Sequence, residues 1–336
     1  MKAFTRFFAF FVLLLAPATV QAGTTYSGLY VFGDSLVDSG NAYLATNGAV
    51  AKPADGYFGG RFSNGFNFAD YLSLAITGHA ATPLYAGGLN MAVGGATAQY
   101  VPNEQSPSFL AQVGLYANTV QAPIDSNALV LITFGGNDVR DTILTGGAVS
   151  FNAALNDFDD ALTALYGLGA RNFAIVGAPD IGLLPVSVAA VGGVPGRLDE
   201  LTARSQQISW ALRAMTNGLD AQPGVTASFF DLFALEHDLL DSPTDFGLPS
   251  TLNTTTPCQI VGGGSPQIGN CGNALYFDGI HPTTQVHKAI ATALGSQLGI
   301  SAVPEGQTWV LLILGVAGVG AALRRRRAML VHVAAA

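Results

Sequence analysis

The sequence has few basic residues. Among 336 residues there are 14 Lys and Arg against 22 Asp and Glu, which gives a formal net charge of −8. Proteins that bind nucleic acid neutralise phosphates with clusters of Lys and Arg, and that binding supplies most of the sequence-independent affinity. A chain with so few cations therefore offers no basic surface for DNA or RNA, and nucleic-acid binding is excluded as its function.

Cysteine is also scarce. The chain has two, Cys258 and Cys271, which stand 13 residues apart in a segment rich in Gly, Pro and Asn. No histidine or further cysteine stands nearby at the spacing of a metal-ligand set, so we expect no zinc site. In an oxidising compartment such a pair forms a disulfide. We therefore expect a Cys258–Cys271 bridge.

The amino-terminal end predicts a secretory signal peptide over residues 1–22. Lys2 and Arg6 precede nine apolar residues from Phe7 to Leu15, and Val20-Gln-Ala22 provides a small-residue cleavage site. Nine apolar residues are too few to span a bilayer, which needs about 20. The pattern of basic, apolar and small residues is that of a cleaved export signal. We expect the protein to be exported to the cell envelope or the extracellular space.

The carboxyl-terminal end, residues 303–336, predicts a membrane-contacting tail. It contains Val303-Pro-Glu, then 15 apolar or small residues over 309–323, then Arg324 to Arg327. Such a helix is about 22 Å long, and its arginines favour the cytoplasmic face. The tail resembles a PEP-CTERM sorting signal, which implies an exosortase-type processing enzyme as a partner, although Gly306 replaces the usual second proline. An ordinary membrane anchor is the alternative.

Residues 23–302 predict one α/β domain. Apolar strand candidates alternate with helical or loop-rich segments; the strands are expected at 28–32, 89–93, 129–134, 173–176 and 227–230. Continuous apolar runs are typical of parallel strands that are buried on both faces. Long helices are predicted at 151–168 and 198–219, and a last helix with Pro282 in its first turn is predicted to end near Leu298. The pattern indicates a three-layer α/β/α fold with a central parallel sheet of about five strands.

Polar residues follow the first three predicted strands. Ser35 follows the first strand in a Gly-Asp-Ser turn, Gly95 follows the second, and Asn137 follows the third. Open α/β sheets bind ligands at the carboxyl ends of their strands. We therefore expect these three residues to meet at one edge of the sheet.

Asp278 and His281 provide an acid and a base for a nucleophilic serine. An imidazole has a pKa near ~6.5 in model peptides, so it can accept the serine proton near neutral pH. A carboxylate three residues earlier can hold the other ring nitrogen. Taken alone, the Asp-x-x-His spacing also fits a helix cap, and Asn137 alone fits a residue that orders its loop.

Four segments together resemble the SGNH, or GDSL, family of serine esterases and lipases. They are residues 30–41, 90–97, 134–138 and 277–283, and the chain is most similar to the phospholipase/lecithinase/hemolysin-like branch. The resemblance implies a flavodoxin-like fold, a Ser35, Asp278 and His281 triad, and no metal or organic cofactor. It also implies an oxyanion hole made by the N–H groups of Ser35 and Gly95 and the Asn137 amide. By position alone, Gly94 is an equal candidate to Gly95.

The resemblance further implies that residues 60–65 shape the wall of the active site without a catalytic role. Asp34 and Asp138 are expected to support the loops that carry Ser35 and Asn137. An α/β-hydrolase nucleophile elbow is excluded, because Val37 stands where the second glycine of that motif is required.

The sequence therefore predicts an exported carboxylic ester hydrolase that acts through an acyl-serine intermediate. Its ester substrate is a lipid, a short acyl ester or an acetylated glycan, and the sequence does not distinguish among them. Two alternatives stay open. One is a polysaccharide O-acetylesterase, and the other is a catalytically silent binding module of the cell envelope.

Overall fold

The computed structural model describes residues 25–144, 151–260 and 266–300. The predicted signal peptide, and the predicted tail with its apolar segment 309–323, lie outside the described residues. Within the described ranges, no helix combines the length and the apolarity that a membrane crossing requires.

The centre of the fold is a sheet of four parallel strands in the order β1-β2-β3-β4. The strands are β1 (Leu29–Gly33), β2 (Leu129–Thr133), β3 (Asn172–Val176) and β4 (Thr226–Phe230). The first residues of the four strands are paired in register, Leu29 with Leu129, Leu129 with Asn172 and Asn172 with Thr226. Every residue of β1 and β2 is buried. This agrees with the apolar runs in the sequence, because parallel strands are covered on both faces.

The predicted strand at 89–93 is not a regular strand. It runs beside β1, where Val31 N–H donates to Leu89 O and Met91 N–H donates to Val31 O, but only a single parallel bridge forms, between Val31 and Asn90. The next ladder bond is missing, because the backbone N–H of Gly33 donates to the Gln112 side-chain oxygen Oε1 at 2.9 Å. The segment thus occupies the place of a fifth, edge strand without completing its pairing.

Helices join the strands and cover the sheet. In chain order they are α1 (Asn41–Ala45), α2 (Phe68–Thr77), α3 (Phe109–Thr119), α4 (Gly136–Leu144), α5 (Phe151–Gly167), α6 (Pro185–Val191), α7 (Arg197–Asp220), α8 (Leu232–Asp241) and α9 (Thr284–Gln297). The predicted helices at 151–168 and 198–219 correspond to α5 and α7.

The helices form two outer layers. Along β1, Tyr30 packs edge-on against Tyr116 of α3, and Phe32 packs at a tilt against Phe109 of the same helix. Val31 points to the opposite face and borders a groove with α2. Helices α3, α5 and α7 contact one another in sequence, and α2 packs against α9. The α/β/α sandwich follows from this alternation, since successive side chains of a strand face opposite sides.

The last helix begins later than predicted. Thr283 has an extended backbone and precedes α9, so Pro282 lies outside the helix. The Thr283 hydroxyl donates to Ala274 O at 2.8 Å, which holds the chain extended at this point. Two contacts then join the start of α9 to the early loop: Ser63 Oγ donates to Pro282 O at 2.8 Å, and Thr284 N–H donates to Asn64 Oδ1 at 2.9 Å.

A disulfide joins Cys258 to Cys271. Beside it lies a short antiparallel pair, β5 (Gln259–Ile260) and β6 (Gln267–Ile268). Cys258 N–H donates to Tyr276 O at 3.0 Å, and Gln259 N–H donates to Phe277 O at 2.7 Å. The disulfide segment is therefore bonded to the two residues that precede Asp278.

We expect loss of this disulfide to destabilise the protein. Closing a loop between cysteines 13 residues apart is worth about 3 kcal/mol in the chain-entropy model. A Cys258→Ser/Cys271→Ser double variant should therefore show a Tm lower by several degrees, measured by thermal unfolding. Reducing agent should lower the Tm of the wild type and leave that of the double variant unchanged. Equal Tm values for the two proteins would contradict the prediction.

Candidate active site

The predicted nucleophile, Ser35, lies in a tight turn directly after β1. Asp34 shapes this turn: its Oδ1 accepts the N–H of Leu36 at 2.9 Å, and its carbonyl accepts the N–H groups of Val37 and Asp38. Ser35 is half-buried, and its hydroxyl makes no hydrogen bond among the described residues. The turn thus leaves the hydroxyl available at the carboxyl end of the strand.

Asp38 connects the Ser35 turn to the glycine loop that follows residues 89–93. Its Oδ1 accepts the N–H groups of Gly40 and Asn41, and its Oδ2 accepts those of Ala42 and Gly94. Burial raises the pKa of this carboxyl to about 6, although the backbone donors oppose the rise. Sequence reasoning did not single out Asp38. The signal available was its place three residues after the serine, in a Gly- and Asn-rich turn where carboxylates often cap backbone N–H groups.

The two candidate oxyanion glycines differ in what their N–H groups do. The Gly94 N–H is occupied by Asp38 at 2.9 Å. The Gly95 N–H has no acceptor among the described residues, and Gly95 is exposed. Gly95 has φ +85, a left-handed conformation that glycine adopts without steric cost. The geometry thus leaves Gly95, and not Gly94, free to donate to a substrate.

Asn137 lies in the first turn of α4, after β2, and is buried. Its Nδ2 donates to Ala96 O at 2.8 Å, which ties it to the residue after Gly95. A side-chain amide has two N–H donors, so one remains for a ligand. The next residue, Asp138, accepts the N–H groups of Ala98 and Gln99 and so holds the same loop. Burial raises the pKa of Asp138 to about 6 despite these bonds.

Asp278 and His281 form a closely bonded pair in the turn before α9. The His281 Nδ1 lies 2.7 Å from Oδ2 and 2.9 Å from Oδ1 of Asp278. Asp278 Oδ1 also accepts the N–H groups of Ile280 and His281, which fixes the turn. Burial alone would raise the pKa of Asp278, but the His281 charge and these hydrogen bonds keep it below its ordinary value. The carboxylate is therefore ionised and holds Nδ1, which leaves Nε2 for a proton transfer.

One pocket brings these parts together. Its wall contains Ser35 and Asn137, and also Ile280 and Pro282, which flank His281 in the chain. Ser35 and His281 make no hydrogen bond to each other here. Catalytic hydrogen bonds are often long in the free enzyme and shorten when the substrate binds.

Aliphatic side chains make up much of the remaining pocket lining. They come from the loop after β3, from α8, from the segment leading into α9 and from α9 itself; they are Ile181, Leu184, Leu232, Leu239, Leu275, Ile280, Val286 and Ile290. Two carboxyl groups also reach its wall, Asp34 and Glu236, and burial raises the pKa of each to about 7. The pocket therefore suits an aliphatic group whose end is held near Ser35.

Residues 60–65 were expected to shape the wall of the active site; they do not line this pocket, but Phe62 of that segment packs against His281. The Phe62 ring lies 5.0 Å from the imidazole of His281, measured between ring centroids. In the part of the chain that the structure describes, no group of three or more His, Cys, Asp or Glu residues is placed to hold a metal ion.

The chain is similar to known proteins. The model of the GDSL-like Lipase/Acylhydrolase family matches residues 29–294. A thermolabile hemolysin of Vibrio parahaemolyticus is 29% identical over 278 residues, which cover 77% of this chain and 60% of the hemolysin. A GDSL esterase/lipase of Arabidopsis thaliana is 30% identical over 285 residues, which cover 70% of this chain and 74% of the plant protein.

Solved structures also resemble the chain. An acetylxylan esterase from Geobacillus stearothermophilus, Axe2, is 14% identical and has a TM-score of 0.47; the match covers 84% of this chain and 98% of the esterase. The chain spans about 60% of the length of the Vibrio hemolysin.

Proposed function

We propose that Ser35, His281 and Asp278 catalyse the reaction of this chain, which belongs to the GDSL-like lipase/acylhydrolase family and is a carboxylic ester hydrolase. The observation that supports this is the pocket, which has Ser35 and Asn137 in its wall and is flanked by the Asp278–His281 pair.

In the proposed reaction, Ser35 Oγ attacks the ester carbonyl while His281 Nε2 takes its proton. The N–H groups of Ser35 and Gly95 and the free Asn137 amide proton stabilise the oxyanion, which carries more charge in the transition state than in the ester. His281 then gives its proton to the leaving alcohol. Water hydrolyses the acyl-serine by the same steps in reverse order. Asp278 holds Nδ1–H throughout and stabilises the imidazolium.

We propose that the acyl part of the substrate is an aliphatic chain of medium length. The aliphatic lining of the pocket supports this choice over an acetyl group, because a two-carbon acyl group would leave most of that lining unused. Each buried methylene contributes about 0.8 kcal/mol. The four extra methylenes of an octanoyl ester over a butanoyl ester therefore allow an increase of up to about 200-fold in kcat/KM.

A series of p-nitrophenyl esters, from acetate through butyrate and octanoate to laurate, tests this substrate class. We expect kcat/KM to rise from acetate to octanoate. Val286→Phe should narrow the pocket and lower kcat/KM for octanoate far more than for acetate. Val194→Phe adds the same ring at an exposed position and should change neither. A maximum at acetate in the wild type would favour the polysaccharide O-acetylesterase instead, and turnover of no ester would favour the silent binding module.

We also propose that the protein is exported and that its tail is processed. The support is the order of segments in the sequence: a signal peptide over 1–22, Val303-Pro-Glu, the apolar run at 309–323 and four arginines. Cleavage after Ala22 and near Pro304 would release residues 23–302 as an external hydrolase. Mass spectrometry of the envelope-associated protein tests both sites. Recovery of an intact terminus through Ala336 would favour the membrane anchor.

A further inference from the structure

Tyr57 contacts the acid of the proposed triad from a distant part of the chain. Its hydroxyl donates to Asp278 Oδ2 at 2.9 Å, although the two residues lie 221 positions apart in the sequence. Tyr57 lies between two short 3-10 turns, Pro53–Asp55 and Phe58–Gly60. The two oxygens of Asp278 therefore have different partners: backbone N–H groups donate to Oδ1, whereas Tyr57 donates to Oδ2.

We propose that Tyr57 is a positioning residue, whose hydroxyl holds the Asp278 carboxylate in the orientation that presents it to His281 Nδ1. The inference rests on the proposed function, in which the Asp278–His281 pair activates Ser35. His281 Nδ1 lies closer to Oδ2 than to Oδ1, so Tyr57 and His281 bind the same oxygen. A rotation of the carboxylate that weakened one of these bonds would also weaken the other.

The Tyr57 ring is held by aromatic neighbours that also enclose the pair. It packs edge-on against Phe277, with 5.1 Å between ring centroids, and against Phe62, with 6.2 Å. Phe62 in turn lies over His281 at 5.0 Å. This apolar surrounding makes an unpaired carboxylate oxygen costly, so the donor from Tyr57 satisfies a group that water reaches poorly.

The Tyr57 hydroxyl stays protonated at neutral pH. Burial, and then the negative charge of Asp278, raise the pKa of Tyr57 well above its ordinary value. The hydroxyl is therefore a hydrogen-bond donor to the carboxylate and does not compete with His281 for the proton of Ser35.

The segment that carries Tyr57 is attached to the disulfide segment. Gln259 Nε2 donates to Asp55 O at 2.7 Å, while Gln259 N–H donates to Phe277 O at 2.7 Å. Gln259 follows Cys258 directly, so one residue beside the disulfide bonds to both the loop of Tyr57 and the residue before Asp278. Gln259 thus links the loop of Tyr57 to the turn of Asp278 by hydrogen bonds, and the disulfide of the adjacent Cys258 holds Gln259 in place.

Tyr57 affects catalysis through the charge and the orientation of the Asp278 carboxylate. A hydrogen bond to Oδ2 stabilises the carboxylate and disperses part of its negative charge, while it restricts its rotation. Without that bond the carboxylate is more mobile, and its undispersed charge stabilises the imidazolium of His281 more strongly. At a given pH, His281 is then less often deprotonated, and less often aligned with the Ser35 hydroxyl. Asp34 and His287 also interact with the His281 charge, and both stay the same when Tyr57 is changed.

Tyr57→Phe tests the proposal, because it removes one oxygen and keeps the ring contacts. We expect kcat for p-nitrophenyl octanoate to fall by about tenfold, with KM within about twofold of the wild type. The acidic limb of the kcat/KM profile should move to higher pH. Tyr116→Phe is the matched control: its hydroxyl donates to Ala122 O at 2.8 Å, and its side chain packs in the core beside β1. That variant should lower Tm without changing kcat or the pH profile.

A double-mutant cycle separates this inference from the proposed function. If Tyr57 acts through Asp278, Tyr57→Phe should have little further effect in an Asp278→Ala background, since the effects of residues that act as a unit are not additive. Wild-type kcat and pH profile in Tyr57→Phe would overturn the inference, as would a full tenfold loss that persists in the Asp278→Ala background. Wild-type activity of Asp278→Ala itself would instead overturn the proposed triad.

Discussion

A Ser35→Ala variant is expected to lose ester hydrolysis by about 10⁴- to 10⁶-fold in kcat while it remains folded. The substitution removes the oxygen that attacks the carbonyl, so no acyl-serine can form. The oxyanion donors and the pocket remain, and they leave a weak residual acceleration. Steady-state assays with p-nitrophenyl octanoate measure the loss, and thermal unfolding shows whether the variant is intact.

Ser39→Ala is the matched control for this experiment. Ser39 lies four residues after Ser35 in the same loop, and its buried hydroxyl has no hydrogen-bond partner within the described residues. Its removal should leave kcat close to the wild type. A fluorophosphonate probe adds a second measurement, since the wild type and Ser39→Ala should be labelled on Ser35 and Ser35→Ala should not. Wild-type turnover in a folded Ser35→Ala protein would remove Ser35 as the nucleophile.

Asn137→Ala is expected to lower kcat by about 10²- to 10³-fold, which corresponds to the loss of one oxyanion donor worth about 2.7 to 4 kcal/mol. KM should change little, because the amide binds charge that develops mainly in the transition state. The variant also loses the hydrogen bond from Asn137 to Ala96 O, which acts in the same direction by loosening the loop of Gly95.

Asn152→Ala, at an exposed position on α5, provides the control and should have wild-type kinetics. Separate measurement of kcat and KM decides between two roles for Asn137. A rise in KM at constant kcat would make Asn137 a contact for the bound substrate, and the oxyanion hole would then consist of backbone N–H groups.

The sequence predicted the central strands well, because buried parallel strands appear as uninterrupted apolar runs. Residues 129–134 were expected as a strand, and the structure forms β2 over Leu129–Thr133. The segment at 89–93 has a similar composition, but a regular strand there was a wrong prediction. The difference arises from the Gln112 side chain, which accepts the Gly33 N–H, and such a contact between distant segments cannot be deduced from an apolar pattern.

The candidate site was predictable where local motifs carry it, and not where distant segments meet. The Asp278–His281 spacing and the polar ends of the strands were visible in the sequence. The donation from Tyr57 to Asp278 joins loops 221 residues apart, and no periodicity encodes such a contact. The start of α9 was missed by two residues because a bond from Thr283 to Ala274 O keeps the chain extended after Pro282.

The hydrogen bonds between residues 63–64 and residues 282–284 bear on the stage of synthesis at which the chain becomes active. Ser35 lies near the beginning of the chain, whereas the Asp278–His281 pair lies just before α9, whose start is bonded to the loop of residues 63–64. A ribosome completes the amino-terminal part first, so a growing polypeptide carries its serine long before it carries its base. We expect unfinished or truncated chains that end before residue 278 to be inert, and ester hydrolysis therefore reports that synthesis and folding have reached the last helix.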